Sequence, residues 1–169
     1  MFNWLKDSLE KRHARFFLDG VHAWYRACSR VIEIMGVALQ DESAVNQDIG
    51  IILDKADRLL FGLRDTTADA CRALRKYDPS LALRLQRTSN QVYALRNEVT
   101  RFLIRAQGPG FPSVGQVKSV NRDQYYTQAM ADIGFRARQM IVELDREMAS
   151  LWAELQGLLT QADKLLQRG

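Results

Sequence analysis

The chain has 169 residues, 47% of them hydrophobic, with three prolines and a formal charge of +4 from 24 basic and 20 acidic groups. That composition supplies one continuous core and excludes a disordered chain, while the net charge is too small to mark a nucleic-acid binder by itself. The charge is unevenly placed: residues 31–70 hold three basic against eight acidic groups, and residues 71–122 hold ten against two.

Apolar residues recur at helical spacing throughout, and no segment alternates with a period of two, so four helices are predicted. The first runs from about 2 to 39. Phe2, Leu5, Leu9 and Phe16 form a stripe continued by Trp24, Ala27, Val31 and Met35, which reads as a core seam. Lys6, Lys11, Arg12 and Arg15 around it raise the alternative of a membrane-surface helix, against which Asp7 and Glu10 count. Ala14, Leu18, Val21, Tyr25, Ile32 and Leu39 widen the apolar sector beyond half the circumference. One side of a bundle cannot cover that, so Leu18 and Tyr25 are expected to meet a partner.

The longest apolar run, "VIEIMGVAL" at 31–39, is short of a membrane span and contains Glu33. The N-terminus "MFNWLKDSLEKRH" lacks the apolar h-region of a secretion signal, and a cytoplasmic protein is expected. Cys28 and Cys71 sit in helical patterns without metal-ligand spacing, which fits a reducing compartment. In an antiparallel hairpin turning near residue 42, His13 falls level with Cys71, giving a core histidine beside an inert thiol.

The second helix, about 44 to 77, carries the seam Val45, Ile49, Ile52, Ala56, Leu59, Leu63, Thr67, Ala70, Leu74 and Tyr77. Asp54, Asp57, Asp65 and Asp69 lie off it, with Arg58 and Arg72 at helical neighbour spacing from Asp54 and Asp69, as on a solvated face. Asp78 as N-cap and Pro79 at the first helical position then start a third helix, about 79 to 107. Its seam is Leu81, Leu85, Thr88, Val92, Leu95, Val99, Phe102 and Ala106. Arg84, Arg87, Arg101 and Arg105 cluster on the far side with Gln91 and Ala94 between them, an outward ribbon able to track a nucleic acid or an anionic membrane surface.

The connection at 108–120 contains "GPGFPSVGQVKS", in which Gly110 to Gly115 resembles the phosphate-binding loop of small GTPases over six residues. Gln116 stands where that loop has its phosphate lysine, Val117 where it has the magnesium-binding hydroxyl, and a helix rather than a strand precedes it. Neither nucleotide nor any other cofactor is therefore expected. At this length the loop either folds its apolar Phe111 back on the bundle or offers it to a partner.

The fourth helix, about 121 to 167, is the most regular: Tyr126, Met130, Ile133, Ala137, Met140, Leu144, Met148, Leu151, Leu155, Leu158, Ala162 and Leu165, with one stutter at Met140, Leu144 and Met148. Opposite this seam lies a second stripe of Ala131, Phe135, Val142, Ala149 and Ala153. The expectation is an all-α, single-domain, elongated antiparallel up-down-up-down four-helix bundle with coiled-coil-like seams. No catalytic or metal-binding set appears, so the expected role is a non-enzymatic structural or adaptor subunit, a homo-oligomer or the obligate partner of another protein. Polyanion binding through the arginine ribbon is the alternative.

Overall fold

The structure, a computed structural model, describes the backbone of residues 3–40, 49–107 and 120–167, and side chains within 6–39, 51, 53–102 and 132–167. It is all-helical: α1 spans Asn3–Gln40, α2 Ile49–Leu74, α3 Pro79–Gln107 and α4 Val120–Gln167. At 1.5 Å per residue, the 48 residues of α4 extend about 72 Å. Contacts between α1 and α2, α2 and α3, α3 and α4, and α4 and α1 close a ring, and α1 also touches α3 across it. Among the described residues no helix is long and apolar enough to cross a membrane.

The stop between α2 and α3 is built as its residues dictate. The Tyr77 and Asp78 amides both return to the Leu74 carbonyl, at 2.9 and 2.8 Å, ending α2 three residues before the predicted Tyr77. The Asp78 carboxylate then accepts from the Ser80 and Leu81 amides at 2.9 and 3.0 Å, capping α3. These donors, the Leu81 amide foremost, hold its pKa below the ordinary carboxylate value.

The seam predicted for α3 is buried from Leu81 to Phe102 without exception, and that of α2 from Ala56 to Leu74 apart from half-buried Leu59. Among the described residues of the α4 seam, Ile133, Ala137, Leu144, Met148, Leu151, Leu155 and Ala162 are buried and Met140, Leu158 and Leu165 half-buried, with Leu159 buried beside Leu158. The first helix departs from expectation. Its buried line is Ala14, Phe17, Val21, Trp24, Cys28, Val31, Met35 and Ala38, whereas Leu9 and Phe16 stay 63% and 38% exposed. Phe17, next to Phe16, enters the core in its place. The flank Ala14, Val21, Ile32 and Leu39 is interior too, and Leu18 and Tyr25 pack against the core, Tyr25 with its ring 4.2 Å from that of Trp152. The wide apolar sector of α1 therefore needs no outside partner at these positions, because α1 has three neighbours in its own chain.

One polar node sits inside this core. The Trp24 indole donates to the Ser89 hydroxyl at 2.7 Å, Ser89 donates to the Leu85 carbonyl at 3.1 Å, and Thr67 lies 3.0 Å from Ser89. Every polar atom of the node has a partner, which is what makes its burial tolerable.

Candidate protein-association surface

The register of α1 on α2 differs from the expected one. His13 stacks on Tyr77 with ring centroids 5.5 Å apart, six residues beyond Cys71, and Gly20 faces the Ala70 backbone at 3.6 Å from the position a Cβ would take. Cys71 instead donates to the Ala82 carbonyl at 3.4 Å. Both thiols are free and buried, and desolvation pushes the Cys28 thiol up to about 12, so it stays protonated and unreactive. His13 has its pKa below 6.5 through burial and then the nearby Lys76, opposed by a hydrogen bond to the Ala73 backbone. Its Nε2 is buried and has no hydrogen-bond partner among the described residues.

On α4 the second stripe lies outside. Phe135 is 61% and Val142 49% exposed, and Ala149 and Ala153 are exposed beyond them. The geometry is helical arithmetic: Ile133 and Ala137, each two residues from Phe135, are buried, and about 200° of rotation turns Phe135 away from them. Phe135 and Val142 stand about 10.5 Å apart along the axis. The backbone beneath is held firmly. Phe102 rests on Gly134, where an added Cβ would come within 3.2 Å of its ring, and the Arg138 guanidinium donates to the Leu39 carbonyl in the last turn of α1 at 3.1 Å. Ala131 and Phe111 lie outside the described side chains.

The arginine ribbon is split. Arg84 does not face outward: its Nε donates to Glu147 at 3.0 Å, Nη2 donates to Ser150 Oγ at 3.1 Å, and Nη1 pairs with Glu154. It clamps α3 to α4, and the hydrogen bonds to Glu147 and then Glu154 raise its pKa further. Helical spacing along α3 alone could not show this, because its acidic partners lie on the other helix. Arg87 and Arg101 are exposed, Arg101 beside Glu98 at 3.4 Å, and Arg105 lies outside the described side chains. A groove of about 520 Å³ between α3 and α4 is lined by Arg84, Arg87, Glu143 and Glu147, so the ribbon's first half is interleaved with carboxylates.

Two features escaped the sequence reading. Phe61 of α2 is 85% exposed, above a groove of about 480 Å³ shared with Tyr93 and Arg96. There Arg96 grips Asp57 through two bonds of 2.8 and 2.7 Å, and Tyr93 donates to the Leu60 carbonyl at 2.7 Å. Its place off the α2 seam was the signal available. The second is a cavity of about 430 Å³ where Leu9, His13, Tyr77 and Leu165 meet, in which the charged groups are Lys6, Glu10 and Lys76. As the seam predicted, Arg58 and Arg72 pair with Asp54 and Asp69, at 2.8 and 3.7 Å. Among the described residues no group of three or more His, Cys, Asp or Glu is placed to hold a metal ion. No protein-family model, curated protein or solved structure matches the chain.

Proposed function

We propose that this chain is a non-enzymatic helical subunit or adaptor that works by association, and that the outer face of α4 receives its partner. The observation that carries the reading is the exposure of Phe135 and Val142, large apolar side chains aligned on a rigidly backed helix. Such alignment is uncommon on a surface meant to stay wet. An antiparallel up-down-up-down bundle with coiled-coil-like seams is the architecture proposed. His13 against Tyr77 and Gly20 against Ala70 support it for α1 and α2. Asp57 with Arg96 and Thr67 with Ser89 do so for α2 and α3. Arg84 with Glu147 and Phe102 with Gly134 do so for α3 and α4, since in every pair one number rises as the other falls. The buried free thiols favour a reducing, cytoplasmic setting.

The polyanion alternative loses support from the pairing of Arg84, which leaves Arg87 and Arg101 as its described cations. Phe135→Glu tests the main reading. A carboxylate costs little in water and much in a contact, so in extracts of the native cell the variant should elute as the isolated chain while the parent elutes in a larger assembly. Equal elution of both, with equal melting, would remove α4 as the contact face.

A further inference from the structure

The cavity of about 430 Å³ lies at the bundle end that carries the α2–α3 turn. There His13 stacks on Tyr77, just past the last residue of α2, and Leu165 is two residues short of the end of α4. From His13 the first helix runs on for about 15 Å to Asn3, and Leu9 is left 63% exposed. The result is a notch walled by the side chains of Leu9 and Leu165 and by the rings of His13 and Tyr77. Its volume falls within the range of small-molecule sites, roughly 300–1,000 Å³. It lies about 45 Å along α4 from Phe135, so it is separate from the association face.

We infer that this notch binds a small free carboxylic acid, as its anion, with an apolar body: Lys6 and Lys76 hold the carboxylate, and Leu9, Leu165 and the Tyr77 ring cover the body. Charge selects the ligand. The two ammonium groups line the cavity against one carboxylate, Glu10, and among the described residues neither has an ion-pair partner. Unpaired lysines beside apolar walls favour an anion over a cation, and the walls favour one that carries an apolar body. The two signs also stand apart. After burial itself, Lys76 is the charge that depresses the His13 pKa, and Glu10 is the charge that raises that of Tyr77. The anion therefore sits at the His13 wall, away from Glu10. A free acid fits better than a protein C-terminus, because the amides of a peptide would lose water against leucine walls without gaining partners there.

The test is titration of the full chain with octanoate, followed through the ring resonances of its two histidines. The His13 signal should shift saturably at millimolar octanoate. His22, which packs edge-on against Trp152 with centroids 5.3 Å apart, should stay still. Octanol, the neutral analogue, and octylammonium, the cationic one, should each bind at least about fivefold more weakly. Lys6→Gln and Lys76→Gln should each weaken octanoate binding about threefold, and Glu10→Gln should strengthen it, with octanol binding moved by none of the three. All three positions are exposed, so the fold is unaffected, and helical circular dichroism of each variant checks this. A His13 signal that does not move, octanol that binds as tightly as octanoate, or a Glu10→Gln variant that binds octanoate more weakly than the parent would each overturn the proposal. An acetylated dipeptide ending in leucine should bind more weakly than octanoate; the reverse order would make the notch a site for a protein C-terminus and overturn the assignment to a free acid.

Discussion

The first and fourth helices each carry two apolar faces, and the structure uses them differently. In α1 both are interior: the line from Ala14 to Ala38 and the flank of Ile32 and Leu39 are buried, because α2, α3 and α4 all pack on this helix. The second face of α4 stays outside, since its stripe of Phe135 and Val142 points directly away from its buried seam. A helix's apolar circumference therefore reports how many neighbours it has, and only the structure tells which of them belong to the same chain.

That contrast can be broken by substitution, beginning with the interior face. Trp24→Ala empties a fully buried site and strips Ser89 of its donor, so it should cost about 3–5 kcal/mol in urea unfolding. A cost below about 1 kcal/mol would mean that α1 is not the central helix. Arg84→Ala, which removes the clamp between α3 and α4 and leaves Glu147 beside Glu154, should cost up to about 1 kcal/mol, less in high salt. Arg87→Ala should be neutral by the same assay, and equal losses would restore the undivided ribbon.

Phe135→Glu should shift unfolding of the isolated chain by no more than about 0.5 kcal/mol, the range of an exposed position. A variant that simply unfolds would move Phe135 into the core and erase the contrast. The smallest effect concerns pH. Because the folded pKa of His13 is depressed below 6.5, the unfolded chain binds the extra proton first. The contribution is therefore complete above pH 6.5 and is lost as pH falls from there toward the depressed value. His13→Gln should flatten this slope, and an unchanged slope would assign it to other groups.

Much of this was legible in the sequence, and the failures are specific. The α3 seam and its Asp78 cap follow from local spacing and local chemistry, so both were readable residue by residue. In α1 the pattern shows an apolar arc without saying which edge is innermost. Phe16 and Phe17 are adjacent and equally apolar, and the choice of Phe17 is made by Tyr77, 5.0 Å away and sixty residues along the chain. Arg84 was misplaced for the same reason, its partners Glu147 and Glu154 being 63 and 70 residues distant. The α4 stripe was visible because its two faces are opposite one another, a relation fixed within a single helix.

The most direct test of the outer face is the alkylation rate of a single introduced thiol at Phe135→Cys. Cys28 and Cys71 are buried and leave the background silent, so a membrane-permeant maleimide reports position 135 alone. The account predicts rapid labelling of the purified chain at low concentration and slow labelling in the native cell, where a partner covers α4. Rapid labelling in both settings would contradict the contact face, and slow labelling in both would place position 135 inside the bundle.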